Sequence, residues 1–323
     1  MTAEDRTRRR RGGRGRGEQL VVPPAEFTSY YGRPILKPPT WEARDVAGYL
    51  FFGGLAGASS LLAAGGERSH RPGLARSTKI TALGAISLSA LALVHDLGRP
   101  SRFVNMLRVF KPTSPMSMGS WLLAAYGPMA GVAALADVSG RAGRLGRSAT
   151  LGAGVLGPTV AAYTSVLIAN TAVPAWHDAR GELPFLFVGS AASAAAGAAL
   201  VVAPHHEQAP ARRLALLGSA LEVAAESRLA QSGRIERRSY GAGRAAALLK
   251  TGRALAVAGG LVAGTLGRRS VWASRLAGVA LLTGSAATRF GVFEAGVASA
   301  ADPEQVVVPQ RHRLEERRGQ LIA

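Results

Sequence analysis

The chain has no cysteine among its 323 residues. That absence removes thiolate-held iron–sulfur clusters, disulfides, thioether-linked haem and cysteine nucleophiles at once. Histidine is nearly as scarce. Of the six, His70, His177, His205, His206 and His312 fall in loops or tails and only His95 touches an apolar run, so no pair of intramembrane imidazoles exists to ligate a cytochrome b haem. Acidic residues are few, 20 against 39 Lys and Arg, and charge of either sign is missing from long internal stretches.

Those stretches are what the sequence does have. They run for ~15–25 residues, the length a helix needs to cross ~30 Å of hydrocarbon, and they make the chain an all-α, polytopic membrane protein. Five spans are clear, at Val46–Gly65, Thr78–Val94, Met116–Ala136, Ala149–Val173 and Leu183–Ala203. Three more, Leu214–Leu229, Ala245–Leu266 and Val271–Ala287, are interrupted by Glu222, Glu226, Arg253 and Arg275. Ionisable groups are costly at membrane depth, so these three are expected to face other helices. Eight transmembrane helices are therefore predicted over 45–303. A polar Arg/Gly/Pro-rich tail at 1–44, expected to be disordered up to Tyr30, precedes them, and a charged tail at 304–323 follows. The first apolar run begins too far from the charged start for a cleaved signal, so the tail is expected to stay on the protein. Small residues such as Gly53, Gly54, Gly57, Gly152, Gly154 and Gly157 recur at the spacing of helix contacts and predict close backbone approach.

The net charge of +19 and a pI near 11.5 are the usual footprint of a nucleic-acid binder. The basic residues instead punctuate the apolar runs, as Arg68, Arg71, Arg76 and Lys79 or Arg141, Arg144 and Arg147 do. They are read as headgroup contacts, with no nucleic-acid partner. An even number of spans puts both termini on one side, and the Lys/Arg balance of the loops tilts that side to the cytoplasm of a cell membrane.

Polar residues gather on the side of the termini. Asp45 and Tyr49 open the first span, His95 and Asp96 close the second, Asn170 closes the fourth, and the loops add Arg99, Trp176, His177 and Asp178. Tyr163 lies deeper, roughly 15 Å inside the end of the fourth helix at Pro174. The first four helices thus enclose a polar mouth near one surface. The bland reading is a set of interfacial anchors and helix ends. Glu222 and Glu226, at i and i+4, could relay protons opposite Arg275 or could be a buried charge network.

Several strings resemble the NrfD/PsrC family. They are Tyr30-Tyr31-Gly32-Arg33-Pro34, Gly53-Gly54-Leu55-Ala56-Gly57, His95-Asp96-Leu97-Gly98-Arg99-Pro100, Ser114-Pro115-Met116-Ser117 with Gly119, Tyr163-Thr164-Ser165-Val166-Leu167, and Asn170-Thr171-Ala172-Val173-Pro174-Ala175-Trp176. The match is specific in the first four helices and carried by length in the last four. The resemblance implies that the eight helices group into two four-helix bundles and form a quinone-reactive membrane anchor subunit of a molybdopterin oxidoreductase, of the polysulfide reductase or formate dehydrogenase kind, serving anaerobic respiration. Such a subunit carries no metal of its own, docks an iron–sulfur, ferredoxin-like subunit and through it a molybdopterin catalytic subunit, and exchanges electrons with quinone. The Ala/Gly/Arg-rich usage points to a high-GC bacterium and so to menaquinone. By motif the quinone contacts are Tyr163, Tyr49 and Asp45, with His95 and Asp96 shaping the mouth and supplying protons. Arg99 and Arg102 fall to partner docking, and Glu222 and Glu226 to a possible proton path. The rival functions are a solute transporter, which would show broken helices and a midplane polar site, and a non-redox scaffold for a partner enzyme. Purified alone, the protein is expected to show no haem Soret band and no bound iron; stoichiometric haem in the absorption spectrum would overturn the reading.

Overall fold

In the computed structural model the described residues are 35–36, 42–98, 100–140, 143–231 and 234–322. The N-terminal tail, read from composition as disordered up to Tyr30, and Arg99 lie outside them. All regular structure among the described residues is helical. Seven helices are long and apolar enough to cross a membrane: α1 (Ala43–Arg68), α2 (Pro72–Asp96), α4 (Pro115–Val138), α5 (Arg144–Ala169), α7 (Leu183–Val202), α9 (Gly243–Gly264) and α10 (Val271–Ala301). Short helices α3 (Pro100–Met106) and α6 (Pro174–Asp178) and a C-terminal helix α11 (Pro303–Ile322) complete the set with α8 (Ala209–Gln231). The sixth predicted span falls on α8. It has the length of a crossing, but Arg212, Arg213, Glu222, Glu226 and Arg228 hold down its hydropathy.

Helix limits follow local chemistry. Pro115 stands at the start of α4, where a missing N–H costs nothing, behind Ser114, whose hydroxyl accepts from the Ser117 N–H. After α2 and α4 the chain turns at Gly98 and Gly140, both with φ near +70°, the left-handed conformation that ends helices. Pro128 and Pro158 sit inside α4 and α5, as membrane helices tolerate.

Alternate helices run in opposite directions, so one surface carries the start of α1 (the near surface) and the other its end (the far surface). α1 packs on α2 and α5, and α4 on α5 and α2; α7 packs on α8 and α10, and α9 on α10 and α8. The two sets meet where α1 and α5 touch α7 and α1 touches α10. At the α1–α5 crossing a Cβ on either Gly57 or Gly157 would overlap the carbonyl of the other, and Gly197 of α7 and Gly278 of α10 repeat the arrangement. Backbones this close gain dispersion contacts that Leu or Val would prevent.

Polar ties pin both surfaces. On the far side Lys79, expected among the headgroups, is instead 4% exposed. Its Nζ lies 2.5 Å from Glu67 Oε1 and 3.2 Å from Asp137 Oδ1, and Thr150 Oγ1 donates to the same Glu67 oxygen at 3.2 Å. One cation thus joins α1, α2 and α4, with α5 attached through the threonine. On the near side Arg237, in the 3-10 turn Ile235–Gly241, donates to Asp178 Oδ2 at 2.5 Å and to Glu182. Arg234 reaches Asp178 Oδ1. Trp176, expected at the interface, is fully buried, with Nε1 donating to the Val292 carbonyl at 2.7 Å and its ring over Gly296.

Burial works to raise the Asp178 carboxyl, but the hydrogen bonds and charges of Arg237 and Arg234 outweigh it and hold the group below its ordinary range. A carboxylate whose folded pKa is depressed adds stability above its unfolded pKa, and that stability is lost as pH falls through the folded value. Arg237→Gln should therefore lower the unfolding temperature most at pH above about 4, the unfolded aspartate value. Thermal unfolding at falling pH should show the difference from wild type shrinking; a constant difference would place the stabilisation elsewhere.

Candidate functional site

The near-surface ends of α1, α2, α4 and α5 do not close on one another. They surround a cavity of about 410 Å³, bounded toward the surface by Met106 of α3. Its walls are mostly apolar, with Val46, Leu93, Met116, Leu123 and Ile168 among them. Into this lining come Tyr49, Asp96, Tyr163, Ser114, Thr164 and Asn170. An apolar hollow with a few converging polar groups is the usual form of a small-molecule site.

The polar groups are not equivalent. Tyr49 is 9% exposed, and its hydroxyl has no hydrogen-bond partner among the described residues. Only its backbone carbonyl is engaged, accepting from Ser89 Oγ at 3.1 Å. The Tyr163 hydroxyl, in contrast, donates to the Pro115 carbonyl at 2.6 Å. Its ring packs so closely on α4 that a Cβ at Gly119 would overlap it. Tyr163 is therefore a wall and a strut between α5 and α4, while Tyr49 is the tyrosine with a free hydroxyl. Asp96, at the end of α2, is exposed and lines the cavity at its rim.

Asp45 and His95 take up each other. Asp45 Oδ2 lies 2.7 Å from His95 Nδ1, with the carboxylate 14% and the imidazole 74% exposed. Neither lines the cavity. The pair joins the first turn of α1 to the last turn of α2 beside the opening, where Asp45 also meets the positive end of the α1 dipole. Arg102 turns back, its Nη1 donating to the Leu97 carbonyl at 2.8 Å. Trp176, His177 and Asp178 stand apart from the cavity: Trp176 packs on α10, His177 lies 3.3 Å from Arg180, and Asp178 is held by Arg234 and Arg237.

A second polar cluster lies among the later helices. Glu222 is fully buried; Oε1 accepts from Thr288 Oγ1 at 2.7 Å and Oε2 has no partner among the described residues. One turn on, Glu226 has a buried, unpartnered Oε1, with Oε2 4.0 Å from Arg253 Nε. The cation nearest this carboxylate pair from α10 is Arg289 rather than the expected Arg275. Arg275 stacks on Trp272 with its guanidinium carbon 5.6 Å from the ring centre. Arg289 is fully buried, donates to the Phe187 carbonyl at 2.6 Å and lies 3.8 Å from the Phe187 ring centre. It escapes a reading that ends the last span at Ala287, although Gly284, Thr288, Gly291 and Ala295 continue the small-residue spacing past that point. A cavity of about 700 Å³, open at the near surface, reaches Glu226 between α8 and α9.

Comparison with protein families matches residues 40–218 to polysulphide reductase, NrfD. The chain belongs to the NrfD family. No curated protein matches it. The NrfD match takes in α1, α2, α4, α5 and α7, and with them every residue around the 410 Å³ cavity. As an NrfD protein it is a multi-pass membrane subunit of the quinone-linked oxidoreductases and works beside other oxidoreductase subunits.

Because the Tyr163 hydroxyl already serves Pro115, Tyr163→Phe is expected to act first on the fold. Loss of a neutral hydrogen bond costs about 0.5–1.5 kcal/mol, so detergent-solubilised variant should unfold at a lower temperature. Unchanged stability would show that the hydroxyl is not committed to the α4–α5 contact.

Proposed function

We propose that this NrfD protein is the quinone-reactive membrane anchor of a molybdopterin oxidoreductase resembling polysulfide reductase or formate dehydrogenase. It exchanges electrons between an iron–sulfur subunit and the menaquinone pool of the cell membrane. The observation that carries the proposal is the 410 Å³ apolar cavity with the unpaired Tyr49 hydroxyl in its wall and Asp96 at its rim. Quinone reduction takes two electrons and two protons, so a site needs a hydrogen-bond donor to the carbonyl and a route for protons. Tyr49 supplies the donor without breaking another bond. Asp96 passes protons from the rim, and His95, held by Asp45 and open to water, exchanges them with the solvent. Tyr163 forms the wall against which the ring lies.

The surrounding structure supports the wider proposal. α8, with 23 residues, is ~35 Å long and runs antiparallel between α7 and α9; we read it as the eighth crossing. The helices then form two four-helix bundles, α1, α2, α4, α5 and α7 to α10. We assign the near surface, and with it both termini, to the cytoplasm; the docking face for the iron–sulfur subunit is assigned to the segments 95–111, with Arg99 and Arg102, and 174–182. Glu222 and Glu226 form a second proton path, supported by their unpartnered oxygens and by the cavity that opens onto Glu226.

Tyr49→Phe separates a quinone role from a scaffold role, because the lost hydroxyl bonds nothing in the described protein. Quinone affinity of the assembled complex should fall by a few-fold to about tenfold, as for one neutral hydrogen bond. Assembly, and turnover with an artificial acceptor at the catalytic subunit, should stay unchanged. Normal quinone kinetics in the fully assembled variant would end the assignment of this cavity; a wild-type complex with no quinone-dependent turnover would leave a scaffold.

A further inference from the structure

The far surface carries basic residues of two kinds. Lys79 and Arg76 have carboxylates beside them, Glu67 and Asp137. Arg212 and Arg213, in the first turn of α8, and Arg268 and Arg269, just before α10, have no ion pair among the described residues. The loop between α7 and α8 holds Arg212 near Arg268, and Arg213 and Arg269 are their neighbours in sequence. Arg212 Nη2 donates to the His205 carbonyl at 3.1 Å and to Gln208 Oε1 at 3.4 Å. Gln208 is buried and accepts from Ser274 Oγ at 2.7 Å. His205 Nε2 lies 2.9 Å from the carbonyl of Gly267, the neighbour of Arg268. The charge of Arg268 acts on Arg212, whose Nε is buried without a partner among the described residues. Glu207, the acid closest in sequence, is turned toward α2, where Oε2 accepts from the Leu74 N–H at 2.7 Å.

Like charges fixed together in this way repel unless an anion joins them. The neighbourhood indicates which anion. Leu217, four residues beyond Arg213, Leu266, two before Arg268, and Trp272, three beyond Arg269, are more than half exposed, as is Leu261 at the end of α9. Leu216, ~6 Å further into the membrane along α8 than Arg212, packs against Gly264 of α9. A guanidinium layer directly above an exposed apolar face matches a lipid headgroup and its chains.

We propose that Arg212, Arg213, Arg268 and Arg269 form a binding site for an anionic phospholipid carrying two phosphodiester groups, whose acyl chains lie along Leu216, Leu261 and Leu266. Arg212 is held in place by its bonds to His205 and Gln208, and Arg213 and Arg269, both exposed, close on the headgroup from outside. Four unpaired cations suit two phosphates better than one.

The test uses the full chain in a neutral detergent, titrated separately with cardiolipin, phosphatidylglycerol, phosphatidylcholine and inorganic phosphate. Bound lipid is counted by native mass spectrometry and stabilisation read from the unfolding temperature. One cardiolipin should be retained and stabilise the protein, phosphatidylglycerol should bind more weakly, and phosphatidylcholine and phosphate should do neither. Arg212→Gln with Arg268→Gln should weaken cardiolipin binding by about thirtyfold, as removal of two surface cations does. Arg213→Gln with Arg269→Gln alters only exposed side chains and should act in the same direction, which decides the matter if the first pair fails to fold. Arg144→Gln with Arg147→Gln, the same charge change at the start of α5, should leave binding intact. Equal loss in that control would reduce the effect to general surface charge and overturn the site. Equal affinity for phosphatidylglycerol would overturn the two-phosphate assignment, and equal stabilisation by inorganic phosphate would overturn the lipid.

Discussion

The contact between Gly57 and Gly157 sets the position of everything around it. α1 touches α2, α5, α7 and α10, and its buried residues include Gly53, Gly54, Gly57, Ala56, Ser59 and Ser60. In hydrocarbon no hydrophobic force pulls helices together, so association rests on close packing of backbones and on polar contacts. A single Cβ at the α1–α5 crossing would push these helices apart, and the 410 Å³ cavity lies between the same two helices toward the near surface. The room for a small molecule there depends on tight contact further down. Beyond it the helix ends carry larger side chains, Tyr49 and Tyr163, and diverge.

Some polar groups in the interior tie neighbouring helices together. Ser60 and Tyr126 share a hydrogen bond of 2.8 Å, and Ser190 and Ser285 another. Of the seven buried side-chain atoms with no partner among the described residues, four, Glu222 Oε2, Glu226 Oε1 and two nitrogens of Arg289, are concentrated in one place. Buried unpaired polar atoms cost on the order of 1–3 kcal/mol each, so their clustering marks a region shaped by something other than packing.

Much of the fold was legible because hydrocarbon imposes a length, and uncharged runs of that length stand out. The helical class and seven of the long helices follow from this alone. What stayed hidden is what pairing conceals. Lys79 reads as a headgroup lysine, and only the structure shows Glu67 and Asp137 folded onto it. Arg289 and Glu294 break the apolar pattern of α10 and shorten it on paper, yet Arg289 is buried on Phe187 and Glu294 lies 3.7 Å from Arg244. At the site, residue spacing puts Asp45, Tyr49, His95, Asp96 and Tyr163 toward one surface but says nothing about which way each side chain turns. The structure places Tyr49, Asp96 and Tyr163 around the cavity and binds Asp45 to His95 outside it. That Tyr163 would be engaged by a backbone carbonyl depends on Pro115, whose missing N–H marks a helix start but whose oxygen gives no sign in the sequence.

α10 has 31 residues and so is ~46 Å long, against a hydrocarbon thickness of ~30 Å. Its surplus lies on the near side, where Val292, Gly296 and Ser299 receive Trp176 and the Ala175 N–H. A mismatch of this size is met by tilt or by protrusion, and anchorage of α6 on the last turns favours protrusion. The final two to three turns then act as a pedestal that lifts α6 and α11 to the level of the headgroups or above.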